Sequence, residues 1–151
     1  MSKIKIGIYK TDEKAKVPTI AYNGTSACFD LFALNDTIIP ARGSALVENG
    51  IRLIIPVGYY IRFADRSGNG IGKGLQIHQG IIDATYSGEL SVKVFNMTDE
   101  DQVIKAEKGI CQCELLKIPE YELFVANDDE WNNYVQNSER GENGFGSTDK
   151  K

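Results

Sequence analysis

The sequence predicts an all-β protein: a barrel, a sandwich or a jelly roll. Three observations carry that expectation. Short runs rich in Val, Ile, Tyr and Phe alternate with clusters of Gly, Pro, Asn and Asp along the chain, the punctuation of strands joined by turns. Helical periodicity is scarce, so the crossover helices of a parallel sheet have no sequence to form them. No internal repeat is evident, which sets repeat architectures aside.

The elements follow in order. "KIKIGIY" (3–9) alternates lysine with isoleucine, a half-buried strand. "TIIPARGSALVENGIRLIIPVGYYIRFADR" (37–66) reads as strand, turn, strand, turn, strand, with "IPVG" (55–58) as a hairpin-type turn. "ELSVKVFN" (89–96) places Leu90, Val92 and Val94 on one face and Ser91 and Lys93 on the other. "ICQCELLKI" (110–118) sets Gln112 opposite Cys111 and Cys113. "DDEWNNYV" (128–135) has room for one or two helical turns but poor helix propensity. The tail "NSERGENGFGSTDKK" (137–151) is too rich in Gly, Ser and Asn to build a core, yet it carries an arginine and a phenylalanine among the glycines.

A chain of 151 residues suits one domain and buries enough surface to fold without staples. Its net charge of −4 excludes a broad electrostatic grip on nucleic acid while leaving room for a local basic pocket. No stretch reaches the roughly 20 apolar residues of a membrane span, and "MSKIKIGIYKTDEKAK" lacks the apolar centre of a signal peptide. The expected location is cytoplasmic, or the nucleus or host cytoplasm for a eukaryotic or viral source. The cysteines, Cys28, Cys111 and Cys113, are odd in number and lack metal-ligand spacing. They read as reduced structural thiols, with Cys111 and Cys113 too constrained on one strand face to bridge each other.

The stretch with most chemistry is "RSGNGIGKG" (66–74), in which glycines, a serine and two cations stand together. A P-loop needs G-x-x-x-x-G-K-[ST] ahead of a long helix. Here the spacing from Gly68 to Lys73 is one residue short, Gly74 stands where Ser or Thr belongs, and no helix pattern follows. On its own the loop is equally a flexible turn.

It does not stand alone. "ACFDLFA" (27–33), "RSG" (66–68), "GIIDATYSGEL" (80–90), "GICQ" (109–112) and "RGENGFGST" (140–148) resemble, in order and spacing, the five motifs of the trimeric dUTPase family. The resemblance implies a jelly-roll-like β barrel over residues 1–136 and a flexible glycine-rich arm over 137–151. It implies a homotrimer whose active sites are shared between subunits, with the arm closing over the nucleotide. The implied reaction splits dUTP into dUMP and pyrophosphate, which limits uracil in DNA and supplies dUMP for dTMP synthesis. Mg2+ enters on the substrate triphosphate, with no direct protein ligand; neither nucleic acid nor membrane is an expected partner.

Residue by residue, the resemblance makes Asp83 the general base that aims a water at the α-phosphorus. Tyr86 lies beneath the deoxyribose and leaves no room for a 2′-hydroxyl. Backbone from Gly80 to Ile82 reads the edge of uracil. Ser67 and Gly68 hold phosphate as a nest without a helix, Arg66 adds charge or orders the site, and Gln112 donates its amide to phosphate. In the arm, Arg140 pairs with the terminal phosphate, Phe145 stacks on uracil, Gly146 lets backbone approach the triphosphate, and Ser147 and Thr148 cap phosphate oxygens. Asp30 supports the site, or serves a structural turn.

Several positions depart from the family pattern. Cys28 replaces a usual glycine, and a positive φ there would strain it. Asp65 replaces a common proline, with Arg66 as its expected partner. Ser87 replaces a common arginine. Glu107, Lys108 and Gly109 reorder the turn before Ile110. Asn69, Gly70, Gly72 and Gly74 suggest a looser segment than the usual short helical turn. Rival readings are a dCTP deaminase, a nucleotide-binding homologue without turnover, and a jelly-roll coat subunit; Asp83, Arg140 and Phe145 together favour the hydrolase.

Overall fold

In the computed structural model, which describes residues 3–144, the chain runs β1 (Gly7–Lys10), β2 (Thr19–Ile20), α1 (Ala21–Gly24), β3 (Phe29–Phe32), β4 (Thr37–Ile39), β5 (Ser44–Glu48), β6 (Ile51–Ile54) and β7 (Tyr59–Ala64). It continues through α2 (Ser67–Lys73), β8 (Leu75–Ile77), β9 (Ile81–Asp83), β10 (Ser91–Asn96), β11 (Gln102–Ile104), β12 (Gly109–Lys117) and α3 (Asp128–Gln136). The all-β expectation holds. Every described strand pair is antiparallel, in sheets ordered β1-β6, β5-β10-β8, β11-β4 and β2-β3-β12-β7-β9. Strands distant in sequence lie side by side, as in a jelly roll, but the described pairings do not close into one continuous barrel.

The five-stranded sheet carries most of the chemistry, and period-2 alternation sorts its residues. One face gives Leu31, Ile61, Phe63, Cys111 and Cys113 to the buried core, with Ile82 and Leu115 packed against it. The opposite face carries Asp30, Gln112, Glu114, Arg62, Tyr60 and Asp83, aligned by the register Gln112↔Asp30, Gln112↔Ala64, Glu114↔Arg62 and Tyr60↔Asp83. The core also takes Val47, Ile51, Leu53, Leu75, Val92 and Val94 from the other strands, Leu90 from just before β10, and Ile110 from the start of β12. As the alternation predicts, Leu90, Val92 and Val94 point inward. The strand expected over 3–9 is shorter, beginning at Gly7.

The three thiols are free. Cys111 and Cys113 are fully buried, and the neighbouring Cys111 thiol and burial together push the Cys113 thiol far up. "IPVG" forms its turn, with the Tyr59 N–H donating to the Pro56 carbonyl at 3.2 Å and Gly58 at φ 89°.

The chain forms two compact units, Met1–Pro119 and Glu120–Lys151. In the second, residues 120–127 are irregular and exposed. α3 is longer than its propensity suggests because Asn127 and Glu130 cap it reciprocally: the Asn127 side chain accepts from the Glu130 N–H and the Glu130 carboxylate from the Asn127 N–H. No helix among the described residues is long and apolar enough to cross a membrane.

Candidate active site

A pocket of about 230 Å³ opens at one end of the five-stranded sheet, lined by Ala21, Tyr22, Ser26, Cys28, Asp30, Arg66, Ser67 and Gln112 among others. Its polar groups come from three of the sequence motifs. Asp30 sits on β3 and Gln112 directly opposite it on β12. Arg66 and Ser67 lie where β7 passes into α2. The volume is below the roughly 300–1,000 Å³ of a pocket that encloses a whole small ligand.

Arg66 is fixed from three sides. Its Nε meets the Asp30 carboxylate at 3.2 Å. Its guanidinium lies against the bare Cα of Gly109, where an added Cβ would collide with Nη1 and Cζ. Its carbonyl accepts from the N–H groups of Asn69 (3.0 Å) and Gly70 (2.8 Å) at the start of α2.

The segment after Arg66 is a helix, not the looser loop its glycines suggest. Those glycines cost it about 1 kcal/mol each, and tertiary bonds offset them. The Asn69 amide donates to the carbonyls of Gly109 (3.0 Å) and Ile110 (3.1 Å). Gly74, left-handed at φ 63°, closes the C-terminus by donating to the Asn69 carbonyl. Ser67 and Gly68 begin this helix, and their N–H groups have no backbone partner among the described residues. A Cβ on Gly68 would meet open space, so that face is free for a ligand.

Asp65 does not pair with Arg66. Its carboxylate accepts from the Ile77 N–H at 2.8 Å and ties β7 to β8. Cys28 is not among the residues with positive φ, so the usual glycine is replaced there without strain. Burial, then Glu114 and Asp30, push its thiol up, which disfavours the thiolate. The left-handed conformation in the turn before Ile110 falls on Glu107, at φ 64°. Gly109 is needed for its missing side chain, not for its φ.

Asp83 and Tyr86 lie elsewhere. β9 is the edge strand of the five-stranded sheet, and Asp83 at its end is exposed. The Gly80 carbonyl is taken by the Phe63 N–H at 3.0 Å, and Ile82 packs against the core. By strand alternation, the N–H and C=O groups of Ile81 and Asp83 face the free edge. The Tyr86 ring, 46% exposed, folds over Gly88. Its hydroxyl donates to the Glu89 carbonyl at 3.1 Å.

Asp83 and Gln112 share a sheet face but not a neighbourhood. Asp83 registers with Tyr60, and Gln112 with Ala64 four residues along the same strand. Four steps of about 3.3 Å and two strand spacings of about 4.8 Å place them roughly 16 Å apart. Asp30 lies one strand further on. Within a single chain the predicted site residues therefore form two groups. Arg140, in the second compact unit, donates its Nε to the Asn143 carbonyl at 2.7 Å. Phe145, Gly146, Ser147 and Thr148 lie outside the described residues.

Comparison with known proteins decides the family. The dUTPase family model matches residues 13–149. The chain belongs to the dUTPase family. The deoxyuridine 5′-triphosphate nucleotidohydrolase of Candida albicans is 38% identical to this dUTPase over 143 residues, covering 95% of this chain and 87% of that protein. A mutant of the Staphylococcus bacteriophage 80alpha dUTPase with dUpNHpp superposes with a TM-score of 0.80 at 23% identity, covering 95% of this chain and 98% of that one. A mutant dUTPase from phage phi11 of S. aureus, whose structure concerns a structural Mg(II) ion, has a TM-score of 0.75 at 20% identity, covering 82% of this chain and 97% of that one. The jelly-roll-like fold of this dUTPase is thus matched over almost its whole length.

Among its described residues this dUTPase has no group of three or more His, Cys, Asp or Glu side chains placed to hold a metal. The pocket offers one carboxylate, already paired with Arg66, together with the hydroxyls of Tyr22, Ser26 and Ser67 and the Gln112 amide. That donor set suits an ion arriving with phosphate oxygens and water as its ligands. Sequence reasoning missed Tyr22, Ser26 and Asn69. The first two line the pocket from α1 and the residues just after it, a turn made by left-handed Tyr22 (φ 53°) and Asn23 (φ 55°). "YNG" (22–24) was its only signal, since Asn before Gly tolerates that conformation.

Proposed function

We propose that this dUTPase-family protein hydrolyses dUTP to dUMP and pyrophosphate, as a homotrimer in which the Asp83–Tyr86 segment of one subunit completes the Asp30–Arg66–Gln112 pocket of another. The observation that carries the reading is the separation just described. A base acts within about 3 Å, or through one water, and Asp83 stands roughly 16 Å from Gln112 in its own chain by the registered strand spacings. A second subunit removes that gap.

In the proposed reaction the Asp83 carboxylate orients a water and takes its proton as the oxygen attacks the α-phosphorus. The bond to the bridging oxygen breaks, and pyrophosphate leaves. Arg66, the Ser67 hydroxyl, the Gly68 N–H and the Gln112 amide balance charge on the phosphate oxygens. Mg2+ carried by the triphosphate supplies further charge neutralisation. Tyr86 beneath the sugar excludes a 2′-hydroxyl, and edge backbone near Gly80–Ile82 reads uracil. The arm from residue 137 onward brings Arg140 to the terminal phosphate, Phe145 over the base, and Gly146, Ser147 and Thr148 against the phosphates. The cellular consequence would be less uracil in DNA and more dUMP for dTMP synthesis.

The test is pyrophosphate release from each deoxynucleoside triphosphate and from UTP, with Mg2+. The reading predicts release from dUTP far above that from dCTP, dTTP or UTP. Equal release from dCTP, or none from dUTP, contradicts it.

A further inference from the structure

Tyr86 is held by its neighbours rather than by its own side chain's depth. Its hydroxyl donates to the Glu89 carbonyl at 3.1 Å, and its ring lies so close over Gly88 that an added Cβ there would stand 2.6 Å from Cζ. The ring therefore goes where the backbone of residues 88–90 goes. Two side chains outside the phosphate pocket fix that backbone.

The first is Asn49, fully buried between β5 and β6. Its amide donates to the Leu90 carbonyl at 2.7 Å, and its Oδ1 accepts from the Ile51 N–H at 3.0 Å. The Ile51 carbonyl in turn accepts from the Leu90 N–H at 2.8 Å. Both polar groups of the Leu90 backbone are thus tied to the turn at 49–51. The second is Thr11, whose hydroxyl donates to the Glu89 carboxylate at 2.8 Å and whose N–H donates to the Gly50 carbonyl at 2.9 Å. The turn itself is pinned: Gly50 has φ 68°, and an added Cβ would stand 2.9 Å from that of Ala15.

We propose that Thr11 and Asn49 are positioning residues for sugar discrimination, acting on Tyr86 through Glu89 and Leu90. The inference rests on the reading of Tyr86 as the residue beneath the deoxyribose. A ring excludes a 2′-hydroxyl only if it resists being pushed aside, so the stiffness of its support sets the penalty on UTP. Burying the Asn49 amide costs desolvation that an apolar residue would avoid, and its two bonds spend that cost on placing Leu90.

The experiment measures the ratio of kcat/KM for dUTP to that for UTP, together with thermal midpoints, in Thr11→Val, Thr11→Ser, Glu89→Gln, Asn49→Asp and Tyr86→Ala. Thr11→Val keeps the shape and removes the donor. It should lower the ratio about five- to tenfold, the scale of one lost hydrogen bond. Thr11→Ser and Glu89→Gln, which keep donor and acceptor, should retain the parent ratio. Asn49→Asp, which loses the bond to Leu90, should lower it at least as far. Thr11→Val is exposed and carries the test if Asn49→Asp does not fold. A lower melting point with an unchanged ratio in Thr11→Val overturns the inference, provided Tyr86→Ala lowers the ratio. If Tyr86→Ala leaves the ratio unchanged as well, the underlying reading of Tyr86 fails and the inference falls with it.

Discussion

The guanidinium of Arg66 rests against the Cα of Gly109, in space that any side chain at 109 would fill. The contact joins the second and fourth sequence motifs, and it explains a glycine whose backbone angle is ordinary. Gly109→Ala should push the guanidinium off its seat and away from Asp30, weakening phosphate binding. The expected outcome is a KM for dUTP raised about ten- to hundredfold, the cost of a lost charge-assisted contact. The melting point should change little, because the displaced atoms end a flexible side chain. Steady-state kinetics and thermal melts check both halves.

Asp83→Asn should separate binding from chemistry. The amide keeps the size of the carboxylate but cannot take a proton from water. Turnover of dUTP should fall at least about a hundredfold, while equilibrium binding of a non-hydrolysable dUTP analogue stays near the parent value. Near-normal turnover would remove Asp83 from the role of base.

Deleting residues 139–151 tests the arm. The buried core ends at Cys113, so the shortened chain should fold and assemble. Its activity should be small, since Arg140, Phe145, Ser147 and Thr148 are lost together. Calorimetry and pyrophosphate release distinguish this outcome from an arm that merely trails.

Much of the fold was legible because side chains announce it. Val92 and Val94 alternate with Ser91 and Lys93, and the sheet buries the valines as that period requires. Asp30 and Gln112 stand out in the sequence as polar candidates, and the register sets them opposite each other on the pocket wall. What stayed hidden depends on contacts between distant segments. The glycines of 68–74 hide a helix because its support comes from the Asn69 amide reaching Gly109 and Ile110, some forty residues on. Asp65 reads as a partner for the adjacent Arg66, yet it accepts from Ile77 on β8, a strand of another sheet. The distance between Asp83 and the pocket depends on strand register, which no single strand encodes.

Acid should loosen the junction between the β3–β4 and β11–β12 connections. The Lys105 ammonium, with the Ala106 N–H, holds the exposed Asp36 carboxyl below its usual range. A carboxylate depressed in the folded state stabilises it above the unfolded pKa, and that stabilisation fades as pH falls through the folded value. Asp36→Asn should therefore melt slightly below the parent at pH 7, and the gap should narrow as the pH is lowered toward 3. A constant difference across that range would contradict the pairing. Because both side chains are well exposed, the difference at pH 7 should be small.

The shared site itself is open to a direct measurement. Asp83→Asn and Arg66→Ala chains, each inactive alone, can be co-expressed with different tags and purified through both. If Asp83 of one subunit serves the pocket of another, every mixed trimer holds one site with both residues intact. Activity should then return to about a third of the parent value, as a closed ring of three identical contacts requires. If both residues act within one chain, every site keeps a defect, and the mixed assemblies stay as inactive as their parents.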